Sequence, residues 1–494
     1  MIPRKFPSPD SRAGAVFLWC SLGLSGASLS YLSGADASLF ERCFFPLALS
    51  SPSLWLASRG HFGVNKWTFP SVPAQVYLVW NLGLLPSMAA AASHSLGQYH
   101  YQSEAKWVGA SAFVVWFLGF ALGAGKFQQT EQLISSSSST LPKWGKFEAI
   151  SLTLILIAWV AAGAAAMDAN ALSSWTTATM TDFQGTGAGV GILFYWALIP
   201  IIPTMGVLFW IYGDLCWRRI ALILLGLGVP ALVMYSNRRL FVYMGVLLLF
   251  ILYRSGHQVR LKVLLPSLIG AALLTGPLLW PIRMVVQNPD LVRSQANPIQ
   301  MAGEGVIRYF TDPDFREITS SASQENQLGG RFNYADTYLA SVQWTLDNDP
   351  HLSPSFLFSL VGMIPTFIWP GKSDVAASLN IKRQFNSLGI SNEPDFQMTP
   401  ILEIYFQLGF AGVLLGGIFW GWMTRKLEQT STLAMQSFEW AIVWASMYIG
   451  VMSFEAYFSM FLSISREPFI IATILALSRW VVKGMSERNL RYIV

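Results

Sequence analysis

The sequence predicts an all-α, polytopic membrane protein of about 12 transmembrane helices, with one large outer loop and a candidate re-entrant segment. Three observations carry that prediction. The 494 residues are 53% hydrophobic and only 12% charged, with 20 Trp and 33 Phe, where a soluble chain carries about 25% charged residues. The apolar residues gather into repeated continuous runs near the ~20 residues that a helix needs to cross a bilayer. They do not alternate over segments of about ten residues, which argues against a β-barrel. Lysine and arginine also fall unevenly between alternate connections.

Spans are predicted near 13–33, 43–58, 70–93, 107–125, 147–167, 188–212, 220–236, 240–253, 263–283, 399–424, 435–457 and 459–480. The runs at 43–58 and 240–253 are short, so they sit with little tilt or in a thinned bilayer. The apolar piece at 355–369 is too short to span and carries Pro365 and ends against Pro370, which suggests a re-entrant or interfacial segment. An even number of spans puts both termini on one side. With the termini inside, the inner connections hold Arg4, Lys5, Lys143, Lys146, Arg218, Arg219 and many more, while the short outer loops hold only Arg42, Lys106, Arg238 and Arg239. That bias makes both termini cytoplasmic. The chain then divides into N-terminal spans over 1–283, about nine of them, an outer (periplasmic) loop over 284–398, and about three C-terminal spans with a cytoplasmic tail over 399–494.

A formal net charge of +5 reflects this inner lysine and arginine and gives no sign of nucleic-acid binding. Cys20, Cys43 and Cys216 lie in or beside apolar runs and form no CxxC, so neither a disulfide framework nor a zinc site is indicated. Arg4, Lys5 and Arg12 precede the first apolar run as in a signal peptide, but the run continues to about Ser33 and reads as a retained helix. Ser135–Thr140 is a flexible linker. The chain has no internal repeat of the transporter kind and no GxxxxGK[ST] loop. Energy for any reaction therefore comes from the substrate or from a gradient, and no cofactor or metal is called for.

Chemistry is expected in the stretch 353–425. There an aromatic, proline-broken segment ends at Lys372 and Asp374, and an apolar helix follows with Glu403 one turn inside it. A charge at the bilayer centre costs about 2.5–3.5 kcal/mol, so it faces a cavity or a partner. Lys372 and Arg383 are possible partners for Glu403. The same reasoning covers Arg466, Glu467 and Glu455, which either form a structural pair or line a site. Residues 333–346 read as a helix capped at Asn333, with Asp336 three residues on and Ala335, Tyr338, Leu339, Val342 and Leu346 on one face. Arg331 precedes it, placed to bind phosphate beside free backbone N–H groups or to sit solvated near Asp336. Arg238 and Arg239 stand on the outer side, against the local charge rule, and either grip an anion or anchor to headgroups. Asp312-Pro-Asp314 either holds a divalent metal or caps a helix with Pro at its first position. His351 is a candidate general base or a turn residue.

Taken in order, these pieces resemble the bacterial O-antigen and oligosaccharide repeat-unit polymerases of the Wzy type. The resemblance rests on Ser236-Asn-Arg238-Arg239, then a large loop with an arginine-bearing helix, then Pro365-Thr-Phe-Ile-Trp369-Pro370-Gly371-Lys372, and last Glu403-Ile-Tyr405-Phe-Gln-Leu-Gly409-Phe-Ala-Gly412. Ser373 stands where the family usually has a proline after the lysine. The motif likeness covers 236–239 and 331–412, and the architectural likeness covers most of the chain.

The resemblance implies a GT-C-like membrane glycosyltransferase of the bacterial inner membrane. Its partners would be undecaprenyl-pyrophosphate-linked oligosaccharides, membrane lipids and a chain-length regulator. Arg238, Arg239, Arg331, Lys372, Trp369, Tyr405 and Arg466 would contact pyrophosphate and glycan. Glu403 leads as the catalytic carboxylate, with Asp336 and His351 behind it. An O-antigen ligase shares this donor and topology. A polysaccharide or lipid transporter is the third reading; it predicts broken helices with ionisable groups at mid-depth.

Overall fold

A computed structural model of the chain describes 46–58, 71–91, 102–125, 146–168, 201–212, 216–224, 298–324, 330–352, 381–390, 398–434, 438–453 and 471–482, with single positions between them. The described residues are helical, with no strand among them. The helices are α1 (Pro52–Ser58), α2 (Val72–Ala91), α3 (Ser103–Ala124), α4 (Lys146–Asp168), α5 (Ile201–Tyr212), α6 (Pro298–Thr311), α7 (Pro313–Gln324), α8 (Gly330–Asn348), α9 (Ile381–Ser387), α10 (Pro400–Ala434) and α11 (Phe438–Met452), with a further apolar helix, α12, over Ile471–Val482. Their limits follow the predicted spans closely at α2, α3, α4 and α11. Among the described residues, two stretches, Glu104–Ala124 and Pro400–Ser431, are long and apolar enough to cross a membrane. The chain divides into two compact units: 1–138 with 325–432 and 450–464, and 139–324 with 433–449 and 465–494.

In the first unit α2, α3 and α10 each give one fully buried indole to a common cluster. Trp80 stacks on Trp116 at 5.8 Å, and Trp420 sits 5.2 Å from Trp80 and 6.3 Å from Trp116. Tyr77 packs edge-on against Phe117, and the amide N–H of Val72 donates to Glu428 at 2.6 Å. These pairings run α2 antiparallel to both α3 and α10. The two partners are parallel to each other, joined along a seam of glycines. A Cβ on Gly119 would lie 2.6 Å from the Leu414 carbonyl, and one on Gly123, Gly417 or Gly421 would strike the Ile418, Trp116 or Phe120 carbonyl respectively. In both helices the glycines are spaced four apart, so they fall on one face. Side chains of lipid-exposed helices gain little from the hydrophobic effect, and close backbone approach through small residues supplies the contact instead.

The structure corrects the predicted span 399–424. Gly409 stands at φ +59°, ψ −149° inside α10, a region that only glycine adopts readily. Ile404 then reaches back. Its carbonyl lies 3.1 Å from where a Gly412 Cβ would be, and its Cδ1 lies 2.6 Å from where a Gly416 Cβ would be. In a straight helix, residues 404 and 416 would be about 18 Å apart along the axis. The contact exists because 400–408 folds back along the helix that follows. The remaining 410–434 is still about 37 Å long, enough for a hydrocarbon core of about 30 Å.

In the second unit α6 and α7 form a tight helical hairpin. Asp312 Oδ1 accepts the Phe315 amide at 3.1 Å, which makes Asp312 the N-cap of α7 with Pro313 at its first position. The second carboxylate oxygen takes Arg308 Nη2 at 2.7 Å. Arg316 donates to the Tyr309 and Phe310 carbonyls at 2.9 and 3.0 Å, closing the C-terminus of α6 with a cation where the helix dipole favours one. The Asp-Pro-Asp element is thus a cap. Among the described residues no group of three or more potential ligands could hold a metal. Arg308 and Arg316, two of the basic residues in the segment 284–398, hold this hairpin together.

Candidate functional site

Among the described residues three carboxylates are buried in the first unit; Glu428 accepts the Val72 amide, and the other two lie on neighbouring elements. Glu403 is 1% exposed and Asp336 2%. An unpaired carboxylate there would cost several kcal/mol, roughly, so both depend on their surroundings.

Glu403 is held by the folded-back piece of α10. Thr399 is the N-cap, its Oγ1 accepting the Leu402 amide at 3.2 Å, and Pro400 takes the first helical position, where its missing N–H costs nothing. Glu403 Oε1 accepts from Gln407 Nε2 at 3.3 Å, one turn on. The carboxylate therefore lies on a short, capped, fold-back helix whose exit is fixed by Gly409, and outside the spanning piece where the sequence places it.

Asp336 is held by α8. The helix begins at Gly330 rather than at a cap on Asn333, so Arg331 is in its first turn. It packs on α2 and α3, and more than one face is buried. Ala335, Tyr338, Leu339 and Val342 are buried as predicted, but Leu346 is exposed. Thr337, Ser341 and Thr345 are buried with them. Ser341 and Thr345 satisfy their hydroxyls on the Tyr338 and Ser341 carbonyls at 2.7 and 2.8 Å. Thr337 Oγ1 finds no hydrogen-bond partner among the described residues. Tyr338 donates to the Gly109 carbonyl at 2.9 Å. Burial, and secondarily the neighbouring Tyr405, holds its phenol well above the ordinary range, so it stays a neutral donor.

Ring contacts and one backbone bond join the two elements. Tyr338 meets Tyr405 edge-on at 6.3 Å, and Trp344 lies 5.2 Å from Phe406. The α8 C-terminus turns at Asp349, φ +64°, a conformation that Asp tolerates better than most residues. Pro350 then prevents the helix from resuming. The next residue, His351, donates its backbone N–H to the Phe406 carbonyl at 2.9 Å, taking up an acceptor in the last turn before the Gly409 break. Its imidazole packs within an aromatic group, edge-on to Trp344 at 5.8 Å and tilted against Phe406 at 5.5 Å.

Of the predicted site residues, the structure brings Asp336, His351, Glu403 and Tyr405 onto these two joined elements. Trp369 is exposed. Arg238, Arg239, Lys372 and Arg466, and the side chain of Arg331, lie outside the described residues, as do Glu455 and Glu467. Sequence reasoning missed Thr337, Gln407 and the role of Gly409. Gly409 is one of five glycines in this apolar run, with Gly412, Gly416, Gly417 and Gly421, so the sequence carries no signal that sets it apart. Comparison with known proteins finds no matching family model, no matching curated protein and no matching solved structure.

Proposed function

We propose that this chain is a membrane glycosyltransferase. In this reading it polymerises lipid-linked oligosaccharide repeat units into surface polysaccharide at the outer face of the bacterial inner membrane, with both termini cytoplasmic. The observation that carries the reading is the burial of Glu403 on a capped, folded-back helix joined to the Asp336 helix. The parallel course of α3 and α10 agrees with the alternation of spans, in which both run inward. The sequence motifs supply the rest.

The donor would be a glycan on undecaprenyl pyrophosphate, and the acceptor a hydroxyl at the non-reducing end of another lipid-linked repeat. The hydroxyl oxygen forms the new bond to the anomeric carbon. The bond from that carbon to the pyrophosphate oxygen breaks, and the lipid pyrophosphate departs with the electron pair. Glu403 receives the hydroxyl proton, a role suited to a carboxylate kept from bulk water. Arg238, Arg239, Arg331 and Lys372 would stabilise the leaving pyrophosphate by forked or point-charge contacts. Asp336 would orient, and Trp369, Tyr405 and Arg466 would line the glycan path. No metal or cofactor enters the scheme.

Deleting the gene and resolving surface polysaccharide by gel tests the reading. Loss of the long ladder with retention of a single-repeat band is the expected result. An unchanged ladder ends the proposal. Polymer accumulating on its lipid carrier, with none transferred, points to a ligase instead. One structural feature favours a transporter as the second reading: the break at Gly409 beside a buried acid has the form of the discontinuous helices that build transport sites. In that case, single repeats would accumulate on the inner face of the membrane.

A further inference from the structure

The α6–α7 hairpin presents apolar side chains on the side it does not pack. Gly305 meets Val285: a Cβ there would fall 2.6 Å from Val285 Cγ2 and 3.3 Å from the Pro281 carbonyl. Val285, Phe315 and Tyr309 form a small core on that side. At about 3.6 residues per turn, Ile307 and Phe310 share the opposite side of α6. They are 63% and 57% exposed, and Ile318 on α7 is half exposed. The hairpin is also clamped, through Gly305, to 281–285, the end of the predicted span 263–283. Helix α6, with 14 residues, is about 21 Å long and too short to cross a core of about 30 Å. A short amphipathic hairpin fastened to the end of a span, with isoleucine and phenylalanine facing away from the protein, has the composition of an interfacial helix.

From this we infer that α6–α7 is a foot seated in the outer leaflet, with Ile307 and Phe310 inserted about 5–10 Å into the boundary between headgroups and acyl chains. Its partner is the lipid surface itself. Phe310 adds the aromatic character that interfaces favour, while Arg308 and Arg316 are spent on holding the hairpin's shape. The inference rests on the reading that the chain spans a membrane, and the test separates the two.

The full chain, with Cys20, Cys43 and Cys216 replaced by serine, takes single-cysteine substitutions Ile307→Cys, Phe310→Cys, Asp314→Cys and Leu415→Cys. Each is labelled with an environment-sensitive fluorophore and reconstituted into phosphatidylethanolamine–phosphatidylglycerol vesicles. Nitroxide-bearing lipids, labelled near the headgroup or deep in the acyl chain, then quench it. Leu415, exposed on the spanning piece of α10, reports the membrane itself. The expected result is strong quenching at Leu415 by one or both lipid probes. At Ile307 and Phe310 the shallow probe should quench at least twice as much as at Asp314, and more than the deep probe does. Access to aqueous iodide at Ile307 and Phe310 equal to that at Asp314, with Leu415 still quenched by lipid, overturns the foot and leaves the membrane reading standing. Protection from both iodide and lipid means protein covers the face, and also overturns it. No lipid quenching at Leu415 removes the membrane reading and the foot with it.

Discussion

The two pieces of α10 on either side of Gly409 are built for different purposes. After the break, 410–434 is a scaffold. Gly417 and Gly421 lie against the backbone of α3, and Trp420 fills the indole cluster. Before it, 400–408 is short, capped by Thr399 and folded back, and it takes two polar side chains, Glu403 and Gln407, out of solvent among Ile401, Leu402, Tyr405 and Phe406. One piece obtains its energy from close backbone packing, while the other holds a charge in place at a cost. The contrast teaches that an apolar helical pattern can be continuous through a reversal when a single glycine supplies the turn.

Breaking the scaffold has the largest expected effect. Gly421→Val places a side chain against the Phe120 carbonyl, where only backbone movement can relieve it. Overpacking of this kind costs about 1–3 kcal/mol even where side chains can yield, and here they cannot. Monodisperse yield in detergent should collapse, and the thermal transition of any surviving protein should fall sharply. A stable Gly421→Val protein would mean that α3 and α10 are not in backbone contact. Gly417→Val, against the Trp116 carbonyl, should behave alike.

Breaking the polar piece should separate activity from stability. Glu403→Gln keeps the volume and an acceptor for Gln407 but cannot accept a proton. Polymer formation should fall by about 100-fold or more, the usual contribution of a general base, with size-exclusion behaviour and melting unchanged. If Glu403→Gln instead unfolds the protein while retaining the ladder at permissive temperature, the acid is structural and the catalytic assignment is lost.

The contrast also marks how much the sequence shows. The helices of α2, α3, α4 and α11 were legible because an apolar run of fixed length has few other solutions in lipid. Asp312 was legible as a cap because Asp-Pro at a helix start satisfies a local rule. Glu403 stood out because charge in apolar surroundings is costly, and Asp336 because it lies three residues after Asn333, as in a capping box. The reversal at Gly409 was not legible, since 399–424 carries one unbroken hydropathic pattern and φ is not written in hydropathy. Nor was the burial of Thr337, Ser341 and Thr345, which look like the wet side of an amphipathic helix. The hydroxyls of Ser341 and Thr345 bond to carbonyls of their own helix, so burying those two on α2 and α3 costs less than their polarity suggests. His351 looked like a free turn residue because its bond to the Phe406 carbonyl joins positions far apart in sequence.

At the junction itself, Gly409→Ala should have an intermediate effect. Space is available, since Pro350 Cγ would be 3.5 Å from the new methyl group, so the penalty is conformational. A non-glycine residue at this φ and ψ costs about 1–3 kcal/mol. The melting temperature should fall modestly while polymer length falls more, because the strain is relieved by moving 400–408 and the carboxylate with it. Equal loss in both would show that the fold-back is not tied to the site.

Tyr338→Phe is smaller again. It removes one hydrogen bond to the Gly109 carbonyl, worth about 1 kcal/mol, and leaves the ring contact with Tyr405 intact. Stability should drop by about that amount with chain length nearly unchanged.

The least effect is expected in the hairpin, and it depends on pH. The Asp312 carboxyl is held below its ordinary value of 3.8, first by the hydrogen bond from Arg308 and then by the Phe315 amide. A carboxylate whose folded value is depressed stabilises the fold above its unfolded value, and that stabilisation is lost as pH falls through the folded one. Pulsed hydrogen exchange over 298–324 should therefore show constant protection at neutral pH and loosening below about pH 4. Asp312→Asn keeps an acceptor for the Phe315 amide but drops the charge facing Arg308. Its protection at neutral pH should fall part of the way toward that of Asp312→Ala, and its acid transition should disappear. An acid transition that persists in Asp312→Asn would assign the loosening to another group and leave Asp312 as a neutral cap.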